Sequence, residues 1–340
     1  MAAPTTRAGE ATRTERTRIL SGVQPSGTLH LGNYFGALAQ HLALQHEFPG
    51  EAFYFIANYH ALTTVQDAER LRQLTRDVAT DYLALGLDPA KATFFRQSDV
   101  PEVCELTWLL STVTGTGLLE KAHSYKDKVA KGIAASVGLF TYPVLMAADI
   151  LIYRSTVVPV GEDQVQHVEF ARDMAGYFNN TYGGGEVLLP LPTYRLSHGQ
   201  KVPGVDGQKM SKSYGNTIGI FDEGATLKKK VMGIKTSTVP LGDPLDPTTD
   251  TVFAIYKLVA SPEETADMEQ RYRTGAIGFG GAKKELLAKL EAHFAEARAR
   301  RKELERTPET VERVLREGAE RARAEARRTL ELCRRACGLS

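Results

Sequence analysis

The chain has 340 residues, 42% of them apolar, which is enough to bury sizeable hydrophobic cores and favours about two domains. Its 42 basic and 41 acidic residues give a formal net charge of +1, so charge alone does not mark it as a nucleic-acid-binding protein. No segment is long and apolar enough to cross a bilayer, which argues against a membrane-spanning protein.

The N-terminal residues and the cysteines bear on where the protein works. Residues 1–18 are rich in Thr, Ala and Arg, contain two glutamates and lack the apolar core of a secretory signal. Because the glutamates also fit poorly with a transit peptide, we expect a disordered extension. The cysteines Cys104, Cys333 and Cys337 cannot all pair with one another, and their spacing matches no familiar zinc pattern. Reduced thiols in the cytoplasm are the simplest interpretation.

The first predicted unit is a strand, a turn and a helix. The apolar run 19–23 predicts the strand, 25–27 the turn, and 31–45, with its apolar face, the helix. Backbone N–H groups at a helix N-terminus attract phosphate, and Gly32 allows a nucleotide to approach the backbone closely. His30 is placed to donate a hydrogen bond to a phosphate oxygen as charge develops there. The alternative is that this segment only turns the chain and caps the helix.

Further strand and helix candidates alternate along the chain. Residues 51–59, 93–97 and 156–160 are strand candidates, and residues 67–85 are a helix candidate. This alternation predicts an α/β protein with a Rossmann-type parallel sheet over residues 19–222. In such sheets, ligands bind at the carboxyl ends of the strands.

The remaining chain, residues 223–340, has an almost wholly helical pattern. A Gly/Pro-rich stretch at 239–247 and Pro308 separate its helices, so we expect an α-helical C-terminal domain. Residues 283–335 contain sixteen Lys or Arg, eleven Glu and no Asp, which is a local excess of positive charge. These helices either offer RNA a basic face or, because Lys/Arg and Glu are mixed along them, form a solvated, salt-bridged surface.

The most informative short run is Lys209-Met210-Ser211-Lys212-Ser213. Two ammonium groups on flexible stems suit the β- and γ-phosphates of a nucleotide, and the serine hydroxyls can donate further hydrogen bonds to phosphate oxygens. An isolated Lys/Ser run is more often solvated surface. The predicted phosphate-binding unit upstream is what favours a nucleotide-binding role for this run.

Two polar segments in the middle of the chain are candidates for binding a second substrate. Asp149 lies in the otherwise apolar segment 146–152, and a lone carboxylate there costs several kcal/mol unless it has a partner. The N–H group of a ligand would be such a partner, as would the backbone or an arginine in a purely structural role. Residues 161–164 follow a strand candidate and precede a helix predicted at 165–177. Their polar groups therefore lie at the ligand edge of the sheet, or simply favour the helix dipole.

Four runs, in this order, resemble the signatures of a known family. They are His30-Leu31-Gly32-Asn33, Leu-Met-Ala-Ala-Asp-Ile-Leu at 145–151, Gly-Glu-Asp-Gln-Val-Gln-His-Val-Glu at 161–169, and the run 209–213. The first and last resemble the two ATP signatures of class I aminoacyl-tRNA synthetases, and the middle pair resembles further motifs of the bacterial tryptophanyl-tRNA synthetases. Leu31 stands where the family usually has Ile, and Asn33 where the first signature usually ends in His.

The resemblance implies a reaction and its partners. ATP, supplied with Mg²⁺ and without a tightly protein-bound metal, would activate L-tryptophan to tryptophanyl-adenylate and release pyrophosphate. Tryptophan would then pass to the 3′-terminal ribose of tRNA(Trp), whose anticodon the domain at 223–340 would bind. Related enzymes are homodimers, and Trp108 with residues 109–113 provides apolar surface that either pairs with a second subunit or belongs to the core.

The resemblance also implies roles for individual residues. The implied catalytic residues are His30, Lys128, Lys209 and Lys212. The implied ATP-binding residues are Gln24, Pro25, Ser26, Gly32, Asn33, Gly161, Glu162, Asp163, Val202, Lys209, Met210, Ser211, Lys212 and Ser213. The implied tryptophan-binding residues are His60, Tyr142, Met146, Asp149, Val158, Val160 and Gln164. No residue is implied as a metal ligand.

Three other functions stay open. A tyrosyl-tRNA synthetase would share the fold and both ATP signatures, but the runs at 145–151 and 161–169 argue against it. A nucleotidylyltransferase of cofactor biosynthesis would need neither the helical domain nor the full Lys-Met-Ser-Lys-Ser run. A synthetase-like RNA-binding module without catalysis would not need His30, Lys209 and Lys212.

Overall fold

The computed structural model describes residues 17–122, 136–196, 201–240 and 242–340. These residues form the strands β1 (Ile19–Val23), β2 (Ala52–Ile56), β3 (Ala92–Arg96), β4 (Val157–Val160) and β5 (Thr193–Leu196). The first helix, α1, consists of Leu31–Asn33, a wider π-helical turn at Tyr34–Leu38, and Ala39–Glu47. The other helices are α2 (Asn58–Ala61), α3 (Ala68–Ala84), α4 (Glu102–Ser111), α5 (Thr116–Leu119), α6 (Val137–Ile152), α7 (Val165–Tyr182), α8 (Gly224–Met232), α9 (Thr251–Tyr256), α10 (Pro262–Arg273), α11 (Phe279–His293), α12 (Ala295–Arg306) and α13 (Pro308–Ala336).

The strands of the described chain form one parallel sheet in the order β3-β2-β1-β4-β5. Val23 at the end of β1 lies opposite Ile56 of β2, which in turn lies opposite Arg96 of β3. The chain changes direction across the sheet between β1 and β4, which is where doubly wound sheets bind ligands. The predicted α/β architecture with a Rossmann-type parallel sheet is confirmed.

Alternate side chains of β2 point to opposite faces of the sheet, and each face has its own core. Tyr54 and Ile56 pack in one core with α1, α3 and the helices from α8 to the start of α13. Phe53 and Phe55 pack in the other core with α4, α6, α7 and the later part of α13. A strand that is buried on both faces appears in sequence as a continuous apolar run, and β2 has this pattern.

The boundaries of two strands differ from the prediction. The strand predicted at 51–59 ends at Ile56, because Asn58–Ala61 turn into the short helix α2. The strand Thr193–Leu196 was not predicted at all. Its four residues are exposed and it pairs only with β4, so no burial imposes an apolar pattern on it.

Arg18 belongs to the folded part of the chain. Its backbone carbonyl accepts hydrogen bonds from Thr156 and Val157 at the start of β4, and its side chain pairs with Glu51 and Glu325 at 3.0 and 3.1 Å. The disordered extension predicted for residues 1–18 therefore does not include Arg18. Residues 1–16 lie outside the described residues.

The last helix, α13, returns to the sheet. Gly318 lets it approach the edge strand β3 closely, since an added Cβ would lie 1.8 Å from the carbonyl oxygen of Phe94. Further along, Arg323 and Arg327 both bind Glu102 of α4. From α8 onward the described chain is helical, as predicted. The last helix, however, packs on the sheet. That residues 223–340 form a separate domain therefore stays a prediction.

Candidate active site

The two segments predicted to bind ATP meet through backbone hydrogen bonds. Residues 29–31 run antiparallel to residues 218–220, which follow the Lys-Met-Ser-Lys-Ser run, here called the 209–213 loop. Two hydrogen bonds of 3.0 and 3.2 Å flank the bridge between His30 and Gly219. The fold therefore brings the start of α1 and the base of the 209–213 loop together at the carboxyl end of β1.

His30 is buried, with 6% of its surface exposed. Burial, and then the positive charge of Lys212, lowers the pKa of its imidazole to about 4, so the ring is neutral near pH 7. A Cβ added to Gly32 would lie 3.0 Å from two atoms of this ring. Gly32 thus leaves room for the imidazole, in addition to its predicted role of exposing the backbone to a ligand.

Asn216 holds the 209–213 loop from beneath. It is 3% exposed, and its side-chain oxygen accepts a hydrogen bond from the Ser211 amide at 2.8 Å. Its side-chain nitrogen donates to Asp206 at 2.7 Å and to the Lys209 carbonyl at 3.2 Å. Gly204 makes room for it, because a Cβ there would lie 2.3 Å from the amide carbon. The base of the loop is therefore fixed by a buried amide.

The two lysines of the loop lie in different surroundings. The Lys212 ammonium donates to the Ser26 hydroxyl at 3.4 Å and lines the cavity. Partial desolvation lowers the pKa of the Lys212 ammonium, and the negative charge of Asp81 opposes that shift. Lys209 is exposed and does not line the cavity. The positive charge next to His30 thus comes from Lys212.

Asp149 is buried and already has protein partners. Its carboxylate accepts from the Gln97 side-chain nitrogen at 2.9 Å to each oxygen, and His60 Nε2 lies 2.8 Å from one of them. Burial raises the pKa of Asp149, and the contacts with His60 and Gln97 oppose that shift. Within the described ranges, its side-chain partners are Gln97 and His60 and not the backbone or an arginine. Asp149 still lines the cavity and presents an acceptor to it.

An aromatic cluster lies beside Asp149. Tyr142 and His167 are joined through the phenol oxygen and Nε2 at 2.9 Å, and their rings are nearly perpendicular. The Tyr142 ring also meets His60 edge-on at 6.3 Å between centres. These contacts connect α2, α6 and α7 around one end of the cavity.

Residues 161–164 lie at the carboxyl end of β4, as predicted. Gly161, Asp163 and Gln164 line the cavity, and the Gln164 amide donates to the Asp163 carboxylate at 3.1 Å. A Cβ on Gly161 would lie 2.8 Å from the same carboxylate. This edge therefore presents a carboxylate and an amide to the cavity.

One cavity of about 690 Å³ joins these groups. The predicted site residues that line it are Gln24, Ser26, Gly32, Asn33, His60, Tyr142, Met146, Asp149, Val158, Val160, Gly161, Asp163, Gln164 and Lys212. The predicted site residues that do not line it are Pro25, His30, Glu162, Val202, Lys209, Met210, Ser211 and Ser213. Of these, Val202 and Met210 are buried, and the Met210 amide donates to the Val202 carbonyl at 2.9 Å. Lys128 lies outside the described residues.

Sequence reasoning missed three residues that shape the site. Gln97 ends the segment predicted as a strand at 93–97, and a polar residue at the carboxyl end of a strand is a signal that could have found it. His167 lies within the run 161–169 but had no assigned role. Asn216 carries no local signal, because its contacts depend on how the loop folds back.

No helix in the part of the chain that the structure describes is long and apolar enough to cross a bilayer. No group of three or more His, Cys, Asp or Glu side chains within the same ranges is arranged to hold a metal ion.

Similarity to known proteins agrees with this geometry. Residues 12–295 match the family model described as tRNA synthetases class I (W and Y). The tryptophan–tRNA ligase of Rhodopirellula baltica is 54% identical over 322 residues, which cover 95% of this chain and 99% of that protein. The tryptophan–tRNA ligase of Campylobacter jejuni is 48% identical over 315 residues, covering 92% of this chain and 97% of that protein.

Solved structures give the same result. The crystal structure of Campylobacter jejuni tryptophanyl-tRNA synthetase complexed with ADP and tryptophan superposes with a TM-score of 0.89 at 47% identity, covering 95% of this chain and all of that one. The Mycoplasma pneumoniae tryptophanyl-tRNA synthetase superposes with a TM-score of 0.78 at 30% identity, covering 95% and 98% of the two chains. The chain therefore belongs to the class I tRNA synthetases, in the family of the tryptophan and tyrosine enzymes.

Proposed function

We propose that this chain activates L-tryptophan with ATP to tryptophanyl-adenylate and transfers tryptophan to the 3′-terminal ribose of tRNA(Trp). The observation that carries the proposal is one cavity lined by two chemically different sets of residues. Gly32 and Lys212 come from the ATP signatures, whereas Asp149, Met146 and Val158 supply an acceptor and apolar surface. The second set suits an apolar ring that bears a hydrogen-bond donor.

In the activation step, the tryptophan carboxylate attacks the α-phosphorus of ATP. The new carboxyl oxygen–phosphorus bond forms as the bond to the bridging oxygen breaks, and pyrophosphate leaves with the Mg²⁺ that ATP brought. Lys212 and Lys209 stabilise the charge on the leaving phosphates, and neutral His30 donates a hydrogen bond to phosphate oxygen. No protein nucleophile is required, because positioning and charge stabilisation carry the reaction.

Asp149 selects the amino acid in this proposal. Gln97 and His60 orient its carboxylate, and an indole N–H would occupy its remaining acceptor capacity. Phenylalanine lacks the donor and would leave the buried acceptor unpaired. Comparable sites reject a ligand without the donor by a factor of about 10⁴ to 10⁵. Tyrosine keeps a donor, so cavity shape must separate it from tryptophan.

The arginine-rich end of the chain contributes little to RNA binding in this proposal. Many of its cations are engaged within the protein: Arg323 and Arg327 with Glu102, Arg334 with Glu105, Arg300 with Glu296, Lys302 with Glu223, and Lys289 with Glu264. These pairs support the salt-bridged alternative for residues 283–335. Cations bound to carboxylates have less to offer RNA phosphates.

Exposed lysines on α8 and α11 are better candidates for contacting tRNA. Lys228 and Lys229 on α8 and Lys284 on α11 are exposed and form no ion pair within the described ranges. The two helices pack together, and Lys283 donates to the carbonyls of Met232 and Ile234 at the end of α8. Replacing Lys228 and Lys229 with Glu should raise the KM for tRNA and leave pyrophosphate exchange unchanged. Arg328→Glu on α13 is the matched control.

Assembly and location complete the proposal. Trp108 is 69% exposed, so it is not a core residue, whereas Leu109 and Leu110 of the same helix are buried. We infer that the surface around Trp108 pairs two copies of the chain into a homodimer, which sedimentation of wild type and Trp108→Glu would test. A cytoplasmic location is inferred from the family and from the three free cysteines.

The test of the activity is amino-acid-dependent ATP–pyrophosphate exchange with tryptophan, tyrosine and phenylalanine. Exchange with tryptophan alone, lost in Asp149→Ala but kept in the exposed control Asp173→Ala, is the expected result. Exchange with tyrosine would assign the chain to the tyrosine enzymes. No exchange with any of the three, together with retained RNA binding, would favour a non-catalytic module.

A further inference from the structure

Arg298 of α12 is a buried cation, with 5% of its surface exposed. Burial lowers the pKa of its guanidinium, and the negative charges of Glu223, Glu291 and Asp222 oppose that shift. Its neighbours Arg300 and Arg301 pair with Glu296 and Asp81, whereas Arg298 forms no ion pair in the described part of the chain. A buried charge is costly unless polar groups bind it, so the guanidinium needs hydrogen-bond acceptors around it.

The guanidinium of Arg298 lies over the Phe294 ring, 5.8 Å from its centre, and donates hydrogen bonds to backbone carbonyls of two separate segments. Its Nε donates to the carbonyl of Ile220 at 3.1 Å. Its Nη1 donates to the carbonyls of Leu290 and Glu291, at 3.3 and 3.4 Å. The last carbonyls of a helix have no partner within it, so α11 offers acceptors to the guanidinium there. Arg298 therefore ties the end of α11 to the segment that follows the 209–213 loop.

Arg301 reinforces the same attachment. It lies one turn after Arg298 on the same face of α12, and its guanidinium is 4.7 Å from the centre of the Phe221 ring. Its Nε also lies 3.1 Å from the buried carboxylate of Asp81 on α3. Two arginines of α12 thus hold two consecutive residues, Ile220 and Phe221.

Ile220 is bound on both sides. Its amide donates to the carbonyl of Leu29 at 3.2 Å, next to the bridge between His30 and Gly219, and its carbonyl accepts from Arg298. A shift of Ile220 would therefore change the register between His30 and the base of the 209–213 loop. Such shifts matter for rate, because a misplacement of about 1 Å can cost about 100-fold in an enzyme reaction.

We propose that Arg298 is a positioning residue for amino-acid activation, which fixes residues 218–220 and thereby the relation of the 209–213 loop to His30. The inference rests on the proposed function, since the rate it concerns is that of adenylate formation. Arg298 does not line the cavity, so in this proposal it contacts neither ATP nor tryptophan. Its loss should therefore reduce kcat rather than weaken tryptophan binding.

The test compares Arg298→Met and Arg298→Lys with the exposed control Arg300→Met in ATP–pyrophosphate exchange. Methionine keeps the apolar stem and removes every donor, whereas lysine keeps the charge and a donor. We expect Arg298→Met to lower kcat at least about tenfold, equivalent to about 1.4 kcal/mol of transition-state stabilisation, with the KM for tryptophan changed less than about twofold. Arg298→Lys should recover part of the loss, and Arg300→Met should match wild type.

Hydrogen exchange separates positioning from general stability. The amides of residues 218–220 should exchange faster in Arg298→Met than in Leu286→Ala, which removes core packing from α11 but no polar contact to this segment. A folded Arg298→Met with wild-type kcat would overturn the proposal, as would an equal loss of kcat in Leu286→Ala at temperatures where both are folded. If Arg298→Met does not fold, Arg298→Lys decides the question. A wild-type kcat in that variant, together with faster hydrogen exchange of the amides at 218–220, would overturn the proposal. Absence of tryptophan-dependent exchange in the wild type would instead overturn the proposed function.

Discussion

The side-chain nitrogen of Gln97 lies 2.9 Å from each carboxylate oxygen of Asp149, and the two residues are 0% and 1% exposed. Gln97 itself is held, because its side-chain oxygen accepts from the amide of Tyr59 at 3.0 Å. The carboxylate of Asp149 is thus oriented by the protein before a ligand arrives. Because the carboxylate is already ordered, less conformational entropy is lost when a ligand binds.

Gln97→Leu should weaken tryptophan binding and destabilise the fold. The change removes the amide that orients Asp149 and leaves a buried carboxylate short of donors, which costs about 1–3 kcal/mol. We expect a higher KM for tryptophan in pyrophosphate exchange and a lower free energy of unfolding in urea. The matched control is Gln73→Leu, since Gln73 donates to the exposed carboxylate of Asp77 at 2.9 Å. Equal effects in the two variants would contradict a special role for Gln97.

Gly32→Ala should impair catalysis more than folding. The new Cβ would lie 3.0 Å from the His30 ring, so the imidazole must move. We expect kcat for exchange to fall about tenfold, a loss of about 1.4 kcal/mol in transition-state stabilisation. Gly176→Ala on α7 is the control, because its Cβ would meet nothing within 4 Å. An unchanged kcat in Gly32→Ala would show that the ring position is unimportant.

Lys212→Ala should slow adenylate formation by at least about tenfold with little change in tryptophan affinity. Its ammonium is the charge that lies at the cavity wall beside Ser26. Pre-steady-state adenylate formation measures the step directly. Lys201→Ala, an exposed lysine that does not line the cavity, serves as control. A wild-type rate in Lys212→Ala would remove this residue from the mechanism.

Asp81 should make stability depend on pH. Burial raises the pKa of its carboxyl to about 7, against the opposing charge of Arg301. Between pH 3.8 and about 7, the Asp81 carboxyl is therefore protonated in the folded chain and ionised in the unfolded chain. The stabilisation from this group is present below pH 3.8 and is lost as the pH rises to about 7.

Asp81→Asn tests that dependence, because asparagine does not titrate. Urea unfolding of both proteins from pH 4 to 7 should show the stability of the variant rising relative to wild type as the pH increases. A constant difference between the two proteins across this range would show that Asp81 is ionised throughout.

Gly318→Ala should be among the more destabilising single changes in α13. The added Cβ would lie 1.8 Å from the Phe94 carbonyl oxygen, so the helix must move off the edge strand, at a cost of about 3 kcal/mol or more. Gly280→Ala on α11 meets nothing within 4 Å and should stabilise by up to about 1 kcal/mol. Thermal unfolding of both variants measures the contrast, and a stable Gly318→Ala would argue against tight packing of α13 on β3.

Local patterns in the sequence predicted most of the sheet. The strand β2 is buried on both faces, so burial imposes an unbroken apolar pattern that is readable without a structure, and β1 begins with the buried residues Ile19 and Leu20. The exposed edge strand β5 carries no such pattern and was missed. In the site, residues next to strand ends were predicted, because the carboxyl ends of parallel strands meet at one edge.

The residue types and their local order establish the chemistry available to this protein: a histidine at a helix start, two lysines in a loop, and an aspartate in an apolar segment. The partners of these groups follow from the packing of distant elements. Gln97 and His60 reach Asp149 across three elements, and Arg298 reaches Ile220 from a distant helix. The same holds for the charge pattern at 283–335, where several cations, such as Arg323 and Arg334, bind carboxylates of the protein. The physical reason is that a residue type sets what a group can donate, accept or repel, whereas long-range packing sets which group it meets.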